Sequence, residues 1–312
     1  MHLVRLALAG VVAGTLVRPS VADAAPRAFA PVSAWEMEYA EDSCRLIRSF
    51  GDGDAVVTLA LERYEPSNAF SVALISDALT AFRGTQRVKF RFDPAGPAFE
   101  YPLLRSELAD GRAYYQLGAA GVVPPPPLRS DQTPEELLAQ RAEPYQGAKE
   151  REYAQRITSL TVTEGFSDEV RLQLGPMEAP VGAVQTCIDE LLSHWNINVD
   201  QHRTMTRKAV PAEDPYEWLD AKSFPSDQGR RGLGGTTRVR LMVDQSGKPT
   251  SCHIQRGSAA ESFNQAACRI LMERGKFVPA LDAAGQPMAS YFVASFVFAP
   301  PAIPAGSARR LR

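Results

Sequence analysis

Four cysteines stand in the 312-residue chain, at Cys44, Cys187, Cys252 and Cys268, and His253 directly follows one of them. Thiols of this number and spacing could serve a nucleophile with its base, a zinc site or disulfides. A Cys–His dyad needs both side chains to converge on one point. In an extended strand, neighbours such as Cys252 and His253 point to opposite faces, which argues against a dyad. A zinc site wants ligands in close pairs such as Cys-x-x-Cys, and the sequence holds none. Disulfides remain, provided the compartment is oxidising.

The N-terminus bears on the compartment. Arg5 is followed by a twelve-residue apolar run, Leu6 to Val17, and then by Ala22-Asp23-Ala24. That is the layout of a cleaved secretory signal, with small residues at −3 and −1. A membrane-crossing helix needs about 20 apolar residues, and this run is shorter. Residues 1–24 are therefore read as a signal peptide, and the mature protein as exported and periplasmic, with no transmembrane span. Export and an even count favour pairing of the thiols. Cys252 and Cys268 are expected to bridge a strand to the helix after it, and Cys44 and Cys187 to pair within the N-terminal half, two buried free thiols being the alternative there. A net charge of −2 supplies no field for nucleic acid or an anionic membrane.

The elements that must hold these residues follow from the pattern. Residues 35–200 read as a β-rich domain. Its strands include 55–64, 70–79 and 87–92, the last alternating Val88, Phe90 and Phe92 with Arg87, Lys89 and Arg91. Alternating Glu36 and Glu38 read as the wet face of an edge strand. The tetraproline at 124–127 reads as a stiff surface loop. Thr133, Pro134 and Glu136 form a capping box that starts a helix, and Pro144 and Gly147 divide the helical stretch in two up to about Arg156. Val184, Cys187, Ile188, Leu191, Leu192 and Trp195 recur at helical spacing over 180–195. The polar, aperiodic stretch 201–212 reads as an inter-domain linker.

The last third shows the clearest hairpin. Val239, Leu241 and Val243 share one face, Asp244 to Gly247 turn, and Thr250, Cys252 and Ile254 share a face on the return. A helix follows, with Ser258 read as its cap, Glu261 as the capping-box partner, and an apolar stripe of Phe263, Ala266, Ala267, Ile270 and Leu271 up to Gly275. A long apolar strand, 288–298, closes the order. The glycines of "GRRGLGG" (229–235) precede a strand rather than open a helix, so they read as a flexible approach to the sheet, not a phosphate loop.

These residues resemble the C-terminal domain of TonB, the periplasmic end of the energy transducer serving outer-membrane transporters. The resemblance rests on Phe224-Pro225, Arg231-Gly232, Gly235, the turn at Gly247, Ser258, the pair Ala266-Ala267, "FVPA" (277–280) and Gly285-x-Pro287. It covers residues 213–303, leaving 304–312 as a tail. It departs from the family pattern upstream: standard TonB has an uncleaved anchor and a long Pro-rich spacer, where this chain has a signal sequence and a β-rich domain. A chain without an anchor cannot contact an inner-membrane motor inside the bilayer. The β-rich domain resembles no family of known activity.

The expected fold is therefore α+β: a β-rich N-terminal domain and a small three-stranded antiparallel sheet with helices packed on one face. The expected function is non-enzymatic binding in TonB-type transport, with no cofactor and no metal. The resemblance implies that the last strand takes a short peptide of an outer-membrane transporter or other envelope protein along its edge, at Tyr291, Phe292, Val293, Ser295, Phe296, Val297 and Phe298. Tyr291, Val293 and Val297 should share one face and Phe292, Phe296 and Phe298 the other. Since helices can cover only one of these faces, the other should flank a peptide, pack on the first domain or meet a dimer mate. The competing reading is an exported enzyme, a hydrolase, whose TonB-like domain only docks. The inventory weighs against it: residues 35–200 contain one histidine, His194, and the chain has neither Gly-x-Ser-x-Gly nor His-Glu-x-x-His.

Overall fold

Nine short strands come first in the chain: β1 (Arg27–Pro31), β2 (Glu36–Tyr39), β3 (Cys44–Asp52), β4 (Ala55–Arg63), β5 (Phe70–Ile75), β6 (Arg87–Asp93), β7 (Ala98–Pro102), β8 (Leu104–Glu107) and β9 (Ala113–Ala120). Helices α1 (Pro134–Ala142) and α2 (Gly147–Ala154), strands β10 (Ser159–Glu164) and β11 (Val170–Gln173), and helix α3 (Glu178–His194) complete this part. A computed structural model describes residues 26–81, 87–127, 129–219, 223–257 and 260–299. The segment read as a signal peptide, Ser258 and the tail 304–312 lie outside the described residues.

The strands form one sheet in the order β7-β6-β10-β11-β1-β3-β4-β5-β9-β8, with β2 added on β3. Strands β7 and β8 lie at opposite ends of that path, yet only Leu103 separates them in the chain. The sheet must therefore curl until its two ends meet one continuous stretch, which makes it nearly a barrel. Its inward residues, among them Phe50, Leu59, Leu61, Phe90 and Leu172, form the core together with Val184, Ile188, Leu191 and Leu192 of α3. Helix α1 begins as its sequence dictates: Thr133 Oγ1 accepts from the Glu136 amide at 3.2 Å and Glu136 Oε2 accepts from the Thr133 amide at 2.9 Å.

Strand β1 moves the start of this unit upstream of residue 35. It pairs in parallel with β11 and antiparallel with β3, and so joins the two halves of the sheet. "RAFAP" is too short to show a period, and its place comes from the ladders on both sides rather than from its own pattern.

The second part contains α4 (Val199–Arg203), β12 (Val210–Pro211), a 3₁₀ turn (Pro215–Trp218), α5 (Ser226–Arg230), β13 (Gly235–Val243), β14 (Pro249–Arg256), α6 (Glu261–Arg274), β15 (Phe277–Val278), β16 (Ala280–Leu281), β17 (Pro287–Met288) and β18 (Ser290–Phe298). Its main sheet is three-stranded and antiparallel, in the order β14-β13-β18. Helix α6 lays Phe263, Ala266, Ala267, Ile270 and Leu271 against Val239, Leu241 and Val243. The cap of α6 is Ala260, with no side-chain cap bond, and Glu261 is already the first helical residue, accepting from Asn264 Nδ2 at 2.9 Å. Glu261 is thus not a capping-box partner three residues into the helix. Gly247, at φ +83°, sits where a Cβ would lie 2.0 Å from the Phe277 carbonyl oxygen, so the β13–β14 turn and β15 can meet only through a glycine.

The stretch 201–212 is not a loose linker. Thr206 N donates to Leu281 O at 2.9 Å, Ala212 N to Lys276 O at 2.9 Å, and Lys208 N to Ala142 O at 3.0 Å. Met205 and Ala209 are buried in the C-terminal core. Backbone pairing of single residues and two-residue strands leaves no periodic trace in side-chain polarity, so sequence reading takes such a stretch for a linker.

Candidate partner-binding edge

The site candidates of the last strand are placed by β13. It takes β14 on one side and β18 on the other, in continuous register from Gly235–Phe298 to Val243–Ser290. Among the described residues β18 pairs with β13 alone, so it is an edge strand of nine residues. Register puts Phe292, Ala294, Phe296 and Phe298 opposite Leu241, Val239, Thr237 and Gly235, on the α6 face. There Phe292 meets Phe277 at 5.0 Å between ring centroids, and Phe298 stacks on Phe263, also at 5.0 Å.

The other face divides. Tyr291 is buried, edge-on to Trp195 at 5.3 Å and stacked on His202 at 5.5 Å. Val293 packs on the core of the β-rich unit. Further along, Ser295 Oγ accepts from Arg238 at 3.3 Å, and Val297 is 75% exposed. The first unit thus covers the Tyr291 end of that face and leaves the Val297 end open. The ring of Tyr291 is accordingly not free to flank a bound peptide.

A hollow of about 660 Å³ runs beside β18. Residues of both strand faces line it, Phe292, Ala294 and Phe296 from one and Ser295 and Val297 from the other. Only the edge of a strand presents both faces to one groove. Trp218, Leu219 and Phe224 also line it. A second hollow of about 340 Å³ lies against Ser290 to Val293 and shares Arg141, Pro215 and Phe292 with the first. An unpaired edge in an open groove can add an extended strand from another chain.

Residues 220–300 match the family model described as Gram-negative bacterial TonB protein C-terminal. This region is a TonB C-terminal domain. No curated protein matches the chain. Motif residues of the TonB C-terminal domain have visible tasks: Phe224 is edge-on to Phe263 at 5.6 Å and to Phe298 at 6.1 Å, and Gly247 passes under the Phe277 carbonyl.

The β-rich unit holds the TonB C-terminal domain by charged contacts. Arg240 Nη1 donates to Asp42 Oδ1 at 3.2 Å, while its guanidinium lies 4.2 Å from the Trp195 ring centroid. Burial lowers the pKa of Arg240, and Asp42 partly restores it. His253 Nε2 lies 2.7 Å from Asp42 Oδ2. Arg238 stands over Tyr64 at 4.5 Å and 3.5 Å from Glu65, whose carboxyl burial pushes up and whose charge Arg238 and Lys208 favour. Burial raises the Tyr64 hydroxyl to about 12, aided by Glu62, and lowers His202 to about 4. In the sequence Arg238 and Arg240 merely alternate with Val239, Leu241 and Val243, and nothing local marks them as docking residues. The only signal was the regular Arg alternation, which a solvated strand shares.

Cysteines 44 and 187 are bonded, with Cα atoms 6.0 Å apart, and this ties β3 to α3. Cysteines 252 and 268 are bonded, with Cα atoms 5.6 Å apart, and this ties β14 to α6. Cys252 points to the α6 side and His253 to Asp42, so the two side chains diverge. His194 ends α3 and His202 stacks on Tyr291; the two are not brought together in any cluster. Among the described residues no group of three His, Cys, Asp or Glu is placed to hold a metal ion. No helix among them is long and apolar enough to cross a membrane.

Proposed function

We propose that this chain is an exported, periplasmic, non-enzymatic protein of TonB-type envelope transport. Its TonB C-terminal domain adds an extended segment of an outer-membrane transporter to the free edge of β18. The observation that carries the reading is the nine-residue edge strand bordered by an open groove. Backbone groups along such an edge supply affinity, and the pockets between alternate side chains supply selection. The chain divides into a β-rich domain, reaching from β1 through α3, and the TonB C-terminal domain. The first keeps the second in one orientation through Asp42, Trp195 and Glu65 rather than through a flexible spacer. Ser295, Phe296, Val297 and Phe298 meet the partner, while Tyr291 and Val293 hold the strand on the β-rich domain.

Calorimetry with amidated nine-residue segments from the periplasmic side of outer-membrane transporters tests the reading on the intact mature chain. Binding is expected in the micromolar to millimolar range, and alternate N-methylation of the peptide should abolish it by removing its ladder donors. A photo-crosslinker at Val297 should capture a transporter in cells, whereas one at Met272 on α6 should not. If none of the segments binds at millimolar concentration, edge pairing is the wrong function. Capture of a second copy of the chain from Val297 would assign the edge to a homodimer instead.

A further inference from the structure

We propose that the groove beside β18 is a composite site whose selectivity comes from outside the TonB C-terminal domain: Arg141 of α1 and Lys208 of the connecting stretch select an extended segment carrying a carboxylate side chain opposite Phe292. The inference rests on the edge-pairing function. Arg141 borders both hollows along the strand, together with Phe292, and Lys208 borders the smaller one. Neither belongs to the matched region 220–300. Their position relative to β18 is built in. Lys208 N donates to Ala142 O, the residue after Arg141, and Ala142 is buried. The connecting stretch is fastened in turn to β15 and β16 by Val210–Val278 pairing and the Arg207–Leu281 bridge.

Charge accounting then points to an anion. Glu65 is the carboxylate bordering the smaller hollow; it faces Arg238 at 3.5 Å, and Lys208 favours its charge from further off. Asp214 borders the larger hollow and is engaged in an interaction of its own. Among the described residues Arg141 and Lys208 form no ion pair, and both are exposed. Histidine 202, the remaining titratable group of the smaller hollow with Tyr145 and Tyr291, is held neutral near pH 7 by burial. Two exposed cations, neither in an ion pair among the described residues, thus border an apolar edge groove at one point along its length, Arg141 with no carboxylate interaction of its own and Lys208 with only the field of Glu65. An extended segment lying there would gain a charge-assisted hydrogen bond if it brought a carboxylate to that point, and a neutral segment would not. Arginine suits this task because its planar fork can meet both carboxylate oxygens.

The test uses the intact mature chain and pairs of the amidated transporter segments above, each with one Glu and its Gln twin, so that the side chain is the sole carboxylate varied. Calorimetry at low salt should show the Glu peptide binding roughly tenfold tighter than its twin, a ratio that shrinks as salt screens the pair. In Arg141→Gln/Lys208→Gln the ratio should fall to near one, with an unchanged circular dichroism spectrum and melting temperature. Equal binding of both peptides to the unaltered chain would overturn the carboxylate selector while leaving edge pairing intact. A tenfold ratio that survives in the double variant would overturn the assignment to Arg141 and Lys208. Binding of neither peptide at millimolar concentration would remove the edge-pairing function and this inference together. A chain that sediments as a dimer and is not dissociated by peptide would give the groove to a second copy and overturn the proposal.

Discussion

Replacing Glu150 with Gln should destabilise the β-rich unit far more than the loss of one surface charge. Glu150 of α2 and Arg63 of β4 are 0% and 1% exposed, with Arg63 Nη2 2.5 Å from Glu150 Oε1 and Nη1 3.1 Å from Oε2. Tyr145 also donates to the carboxylate, as does Gln185 Nε2 at 3.1 Å, and the guanidinium lies 3.8 Å from the centre of the Phe70 ring. The Gln side chain keeps the shape but leaves a guanidinium buried with no counter-charge. Breaking one side of such a pair costs about 3–5 kcal/mol. For a unit of this size each kcal/mol lowers the melting temperature by about 2–4 °C, so the expected fall is roughly 6–20 °C. The assay is thermal and urea unfolding by circular dichroism under non-reducing conditions. The double variant Arg63→Met/Glu150→Leu removes both charges and should lie closer to the unaltered protein than Glu150→Gln does. A loss below about 1 kcal/mol for Glu150→Gln, or a double variant less stable than the single, would refute the buried-charge reasoning.

Three further outcomes can be checked alongside. Cys252→Ser/Cys268→Ser opens a bridge of sequence separation 16 and should cost about 3 kcal/mol in the C-terminal unit by urea unfolding. His202 titrates at about 4 in the fold against an ordinary 6.5, so the unfolded chain binds the proton first. Its contribution is complete above pH 6.5 and is lost as pH falls toward 4, by at most roughly 3 kcal/mol, and His202→Gln should flatten that slope. Arg240→Met leaves Asp42 with His253 alone and uncovers Trp195; a loss of about 2–3 kcal/mol and a red shift of tryptophan emission are expected, and an unchanged spectrum would show that Arg240 does not hold the two units together.

Wherever side-chain polarity repeats along a single element, the sequence determined the outcome. Val88, Phe90 and Phe92 face inward because a pleated strand alternates, and Thr133 caps α1 because its oxygen and the Glu136 carboxyl can satisfy each other's backbone neighbours. The β13–β14 hairpin, the stripe of α6 and the glycine at 247 were legible for the same local reason, and Gly247 and the pair Ala266-Ala267 are among the residues on which the resemblance to the TonB C-terminal domain rests. Arg63 left a faint mark, an arginine at the fourth inward position after Val57, Leu59 and Leu61; its partner Glu150 lies 87 residues away and left none. Only the tertiary structure decided how the two parts meet. The pairing of β1 between β11 and β3, the docking of Arg238 and Arg240 on Glu65, Asp42 and Trp195, and the burial of Tyr291 beside His202 all join residues distant in the chain. Local periodicity carries no record of such contacts, because a strand face packed on another domain through arginines has the same polarity pattern as one packed on water.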